Sequence, residues 1–417
     1  MGRYGRILRR RAVAWPFAAA VIARLPISMG PLGMVVLVQQ VRGRYATAGL
    51  VTAAFAFGAA VGAPVWGQLL DRRGQSRIIG PLAVASSLLL AVLALIAPSS
   101  APDGALVAVA AAVGVCFPPI SPAMRGAWRV VLETDDERRA AYALDAVAVE
   151  TIFVGGPLLL SALLGRGPAS LPLLVTAALL LVGGLGYATT GAARTWRPEQ
   201  PDGGGTPRGI SPVRDPGVVQ VLLVALTIAV GFGLSDLSVA ATARQVLGNT
   251  KDVGWLFAAL AGGSAAGGLW YGSRTWPGPE HRRLPAVLGG FATGLLVTGT
   301  LLWSGHGSSL PVLLSVLFVT GLCIAPALIV LANLIDRHGA ADRLGEAQSW
   351  LNTAFTAGGA LGTAVAGLAV DAGGPAAGFT VAAAAVAAAV VVAALGGRHW
   401  RLPDAPPDAP PPALPGS

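Results

Sequence analysis

Four ionisable side chains sit inside long apolar runs: Arg24, Asp145, Glu150 and Asp236. A charge at membrane depth is costly, so each is a candidate functional group by default. Glu150 lies ten residues into the run Ala140 to Leu164. That is about 15 Å along a helix, near the middle of a hydrocarbon layer about 30 Å thick. Arg24 lies at comparable depth in the run Ala12 to Gln39. The two are expected to pair. The pair is either a switch, loosened by protonation or substrate, or a permanent clamp between the two helices. Asp145 is five residues before Glu150, which is about 140° around a helix. The two acids therefore face different neighbours, and Asp145 is expected to pair near Arg138 and Arg139. Asp236, in the outer half of the seventh run, is either a binding group or a helix-end residue reaching for the surface.

A weaker polar signal comes from Ser349, Asn352, Thr353 and Thr356, which recur at i, i+3, i+4 and i+7 on one helical face. Gln348 and Trp350 sit beside them. Such a stripe lines a path for a polar organic substrate, or it makes interhelical hydrogen bonds. Asn333 carries the same ambiguity. Arg125 suits a relay or an interface contact, as does Asp145. No phosphate-binding Gly-x-x-x-x-Gly-Lys-Ser/Thr loop, His-Glu-x-x-His or Gly-x-Ser-x-Gly occurs. His281, His306, His338 and His399 fall in predicted loops or tails, and Cys116 and Cys323 fall inside predicted helices as free thiols. No catalytic, metal or cofactor site is expected.

The elements that must hold these groups are membrane helices. The 417 residues are 54% hydrophobic and 12% charged, with mean hydropathy +0.67; a soluble domain carries about 25% charged residues. Twelve runs of spanning length follow one another. The second and third are Ala46 to Leu70 and Ile78 to Ala97, and the fourth is Ala105 to Met124. The sixth is Leu171 to Thr189. After a linker come Gly217 to Ala243, Val253 to Gly272, Leu284 to Trp303, Ser309 to Ile335, Gly345 to Val370 and Pro375 to Leu395. With the N-terminus in the cytoplasm, 23 of the 29 basic residues fall on that side and five on the other. This asymmetry predicts a multi-pass protein of the cell's inner membrane with both termini cytoplasmic. It also assigns the net charge of +9 to topology rather than to nucleic acid. The expected domains are 1–190, a cytoplasmic linker over 191–216 rich in Pro and Gly, 217–397, and a disordered Pro-rich tail over 398–417.

The halves repeat. Cys116-x-x-Pro119 returns as Cys323-x-x-Pro326, Gly62-(x4)-Gly67 as Gly267-(x4)-Gly272, and Gly155-Gly156-Pro157 as Gly358-Gly359-Ala360. The near-equal offsets predict an all-α fold of two pseudo-symmetric six-helix bundles.

Between the second and third runs stands Gly67-Gln68-Leu69-Leu70-Asp71-Arg72-Arg73-Gly74-Gln75-Ser76-Arg77. Gly67 is expected to allow a close backbone approach, and Gly74 a positive φ. This stretch resembles the signature loop of the major facilitator superfamily through Gly67, Leu69, Asp71, Arg72 and Gly74. Gln75 and Ser76 replace two basic residues of the pattern. Val154-Gly155-Gly156-Pro157 resembles part of the superfamily's drug-antiporter signature, whose following glycine pair is here Leu160 and Ser161. The resemblance implies two bundles rocking about a central site. Asp71 would latch against the start of the eleventh helix, and Arg72 against acids at 133–137. It further implies a monomeric secondary transporter that moves a small-molecule solute by alternating access, with a proton as coupling ion and export as the direction. The alternatives are import of sugars or organic anions, or a sensor or enzyme on the same scaffold.

Overall fold

The computed structural model describes residues 9–132, 134–195, 214–274, 276, 280–305, 309–338, 344–397 and 400. The described residues are almost wholly helical, with no strand among them. In lipid every backbone N–H and C=O must be satisfied within the chain, and helices do this locally. The first three spans are Arg11–Arg42, Tyr45–Arg73 and Gln75–Ile96. The fourth comes in two pieces, Asp103–Val115 and Ile120–Val131, and the fifth and sixth are Asp135–Leu164 and Leu171–Ala188. The seventh, eighth and ninth are Pro216–Gln245, Val253–Gly272 and Glu280–Trp303. The tenth, again in two pieces, is Leu310–Gly321 and Ile324–His338. The last helical stretch, Leu344–Gly396, has 53 residues. At 1.5 Å per residue it would be about 80 Å long, too long for one crossing. It bends at Gly373 (φ −144°, ψ 19°) and Gly374 (φ 71°, ψ −174°), so it supplies the eleventh and twelfth spans.

Two sequence expectations change. The fourth and tenth spans are not continuous. Pro118 and Pro119 lack the N–H groups that would carry the fourth helix through, and the chain turns there before Ile120. Pro326 has the same effect on the tenth, which breaks at Leu322 and Cys323. The charged segment from Arg125 to Arg139 is helical on both sides of a short break between Val131 and Asp135. The fourth span runs on to Val131, and the fifth starts at Asp135, where the Thr134 hydroxyl accepts from Glu137 N at 3.3 Å. The expected linker and tail lie almost wholly outside the described residues.

The repeat reappears as packing. In the first bundle, a Cβ added at Gly58 or Gly62 would collide with the Ala111 or Val115 carbonyl of the fourth span. In the second, Gly263 and Gly267 press in the same way on the Phe318 and Leu322 carbonyls of the tenth. Gly114 and Gly321 return the contact onto Phe55 and Leu260. Small residues let these helix pairs meet backbone to backbone.

The two ends of the molecule differ. The end at which the first span begins, at Arg11, and the last finishes, at Gly396, is here the terminal face, and the opposite end the far face. One apolar core at the far face draws on both bundles, joining Leu37, Val51 and Leu160 with Leu237, Val253 and Phe379. Towards the terminal face the core splits. One cluster belongs to the first bundle, around Trp128 and Tyr187, and one to the second, around Leu288 and Leu334. The bundles are thus joined at the far face and separate towards the terminal face.

Candidate functional site

The first and fifth spans run side by side. Ser28 Oγ donates to the Ile152 carbonyl at 2.9 Å, and Gly156 lies against Ser28. Asp145 is on the same face as Ile152 and Gly156, because multiples of seven and eleven residues return close to one helical direction. Arg24, one turn before Ser28, therefore meets Asp145. Its Nη1 donates to Asp145 Oδ1 at 2.7 Å and its Nε to the Ala20 carbonyl at 3.2 Å. Both residues are buried, at 1% and 5% exposure. The expected Arg24–Glu150 pair is thus replaced by Arg24–Asp145. Asp145, expected to pair near Arg138 and Arg139, bonds Arg24 instead, while Arg138 Nε donates to the Leu132 carbonyl and the Arg139 side chain lies outside the described residues. The physical reason is the face: Glu150 points about 160° away from Ile152 and from the first span.

Glu150 is exposed instead. It shares a face with Val154, Pro157 and Ser161. Further along, that face meets the second bundle, where Gly254 N of the eighth span donates to Ser161 Oγ at 2.7 Å. Glu150 therefore looks towards the second bundle on the terminal-face side of this contact. It has no hydrogen bond or ion pair among the described residues.

Asp236 is the only exposed residue between Val224 and Arg244. A lipid-facing helix exposes a stripe; one exposed residue among packed neighbours opens into a gap. The next residue, Leu237, packs at Gly49 in the far-face seal, so Asp236 lies just inside that seal. It too is unpartnered among the described residues. The expectation of a residue reaching for the outer surface does not fit this position.

The polar stripe of the eleventh span is exposed at Ser349, Asn352 and Thr353, and Trp350 is 42% exposed. Thr353 and Thr356 donate to the Ser349 and Asn352 carbonyls at 3.0 and 2.9 Å. These are bonds within the helix, so the two hydroxyls make no interhelical bridge. Gln348 Nε2 is engaged by Asp336 of the tenth span at 2.9 Å. Arg125 is exposed in the second piece of the fourth span.

The sequence matches the Major Facilitator Superfamily profile over residues 16–297. The chain belongs to that superfamily of membrane transporters. A second profile, the BT1 family, matches residues 224–410. No curated protein matches the chain at a significant level. Among solved structures, an auto-inhibited POT family peptide transporter aligns with TM-score 0.70 and 15% identity, over 94% of this chain and 98% of the other. A bacterial homologue of the iron transporter ferroportin, in an inward-facing state, aligns with TM-score 0.68 and 14% identity over 92% and 98%. A bacterial homologue of the human lysosomal transporter Spinster, inward-facing and unoccupied, aligns with TM-score 0.65 and 17% identity over 94% and 96%. At these identities the likeness is one of fold.

In this superfamily member the signature loop is only partly as expected. Gly74 has φ 88°, the left-handed region its missing side chain permits. Gly67 meets nothing: an added Cβ would have no atom within 4 Å. The expected close approach there is corrected, because the second and eleventh spans diverge towards the terminal face. Arg72 is exposed, and Glu137 is paired with Arg10 at 3.1 Å rather than with Arg72. The Asp71 side chain, the residue at 133 and the side chains of Asp135 and Asp136 lie outside the described residues. Gln75, where the pattern has a basic residue, is fully buried; it accepts from the Tyr187 hydroxyl at 2.8 Å and donates to the Ala123 carbonyl at 2.9 Å. The neutral amide satisfies both partners there, one as donor and one as acceptor. In the antiporter-like stretch, Gly156 is the glycine that admits a neighbour, while Gly155 faces open space.

Sequence reasoning missed Ser161, Gln75 and Asp371. Asp371 ends the eleventh span just before the bend at Gly373, and an acid at such a joint was the available signal.

Proposed function

We propose that this transporter carries a small organic solute out of the cell across the inner membrane in exchange for protons, with the terminal face in the cytoplasm. The observation that carries the reading is the pair of carboxylates, Glu150 and Asp236, one from each bundle, without partners among the described residues, in the gap on the terminal-face side of the seal. A carboxylate that must cross between two aqueous phases without a counter-charge is best neutralised by a proton or by a cationic or hydrogen-bonding solute. The two ligands then compete, and competition for one site is what exchange requires. Arg24 is withdrawn from this role by its buried pair with Asp145. That leaves the centre of the gap acidic, which disfavours an organic anion as cargo. The exposed Ser349 and Asn352, with Trp350 beside them, offer polar and aromatic contacts on the opposite wall. Gln348 serves as an anchor to Asp336, and Arg125 as a group at the cytoplasmic mouth. The basic asymmetry of the loops supports the orientation, and the transporter is read as a monomer.

The test is pH change inside inverted vesicles energised to an acidic interior and challenged with dyes, antibiotics and sugars. Export predicts alkalinisation by particular compounds, lost in E150Q. If E150Q keeps both the response and its pH dependence, Glu150 is not the proton carrier. Counterflow of sugars or organic acids without proton movement would replace export by import.

A further inference from the structure

We propose that Asp371 is the latch that holds the far face shut, releasing when the far face opens. The second span starts at Tyr45 after Arg44, with no side-chain cap and no acid in its first turn. Its first N–H groups would be orphaned, and they carry the positive end of the helix dipole. Asp371, from the other bundle, supplies what is missing. Its Oδ1 accepts from Tyr45 N at 2.9 Å and its Oδ2 from Ala46 N at 2.7 Å. A carboxylate from one bundle therefore caps a helix of the other, with both oxygens engaged in charge-assisted bonds.

The surrounding packing fits a joint that closes and opens. Gly49 lies against Thr363 and Gly367, and Gly367 against Tyr45 and Ala46. The two backbones touch there, with the Leu237 side chain of the second bundle packed against Gly49 beside them. Beyond the joint, burial fades along both facing stripes. On the second span Gly49 and Ala53 are buried, Ala56 and Ala60 half-buried, and Ala63 exposed. On the eleventh, Gly367 is buried, Thr363 and Thr356 half-buried, and Asn352 and Ser349 exposed. The two antiparallel helices meet at one end and splay at the other. The register that sets Tyr45 against Asp371 and Gly49 against Gly367 also sets Asp71 level with Gly345, at the start of the eleventh span. An acid thus stands at the C-terminal end of each helix, level with the N-terminal end of its partner. The structure has the far-face acid engaged.

The inference rests on the alternating-access reading, but its test reads shape alone, so it fails independently of any solute or proton result. Spin labels are placed at Ser100 and Thr300, on the far side of each bundle, in full-length protein lacking Cys116 and Cys323. The distance between them is measured in nanodiscs. A D371A variant is expected to raise the ratio of long to short distances at least about tenfold, the worth of bonds to a charged group, and D371E to restore part of the short population. G49V, which forces the backbones apart, shows where the open distance lies. An unchanged distribution in D371A, with G49V shifted, would overturn the latch and leave closure to packing alone. No shift in either variant would overturn the joint altogether.

Discussion

The two bundles use the same helix packing, yet only the first pairs one of its intramembrane acids with a base. The first encloses Asp145 with Arg24 and seals both from the gap. The second presents Asp236 to the gap with no partner among the described residues, and the first presents Glu150 likewise. A charge that is paired and buried holds helices together. A charge left unpaired within a membrane span has a cost that a ligand or a proton can offset. The difference separates scaffold from working groups more sharply than membrane depth alone.

The largest expected effect falls on the scaffold pair. R24A leaves Asp145 buried without a counter-charge and is expected to cost about 3–5 kcal/mol, read as a lower Tm and lost folded yield in detergent. R24M/D145L should recover most of it. If the double variant is as unstable as the single, the pair is not a clamp. Next come the helix contacts that the bundles share. G62V and G267V should each cost about 1–3 kcal/mol through overpacking, whereas G67V, which meets open space, should leave the Tm unchanged; unequal losses between the first two would break the symmetry. E150Q and D236N should shift stability within about 0.5 kcal/mol while changing transport. For D236N, solute affinity should fall about tenfold, measured by binding at fixed pH. A stability loss matching that of R24A would return these acids to the scaffold. The smallest effect is expected from T353V and T356V, whose hydroxyls bond only to their own helix; each should change both Tm and transport little.

Much of this was legible from residues alone. Apolar runs gave the spans, because lipid leaves a helix few alternatives, and Cys116-x-x-Pro119 with Cys323-x-x-Pro326 marked equivalent places in the two bundles. What those prolines would do was not legible: both mark breaks, where a continuous helix was expected. The sequence put Asp145 and Glu150 on different faces, but nothing in it showed which face meets the first span, and depth alone chose Glu150 as the partner of Arg24. Glu150 has suitable depth and the wrong face; Asp145 has the right one, set by the neighbouring Ser28–Ile152 contact. Gly67 fits the signature pattern yet touches nothing, since the second and eleventh spans diverge towards that end. Asp371 escaped notice for another reason. It lies 326 residues from Tyr45, and only the assembled bundles bring the two together.

The bend at Gly373 and Gly374 joins the last two spans with hardly any slack. A two-residue elbow has no contour length in which to absorb a tilt. Under the proposed transport cycle, a swing of the eleventh span would carry the twelfth with it, and Val391 and Leu395, exposed on the twelfth, would have to move against the surrounding lipid. Bilayer thickness and fluidity would then load the stroke through this hinge, without any lipid binding at the site.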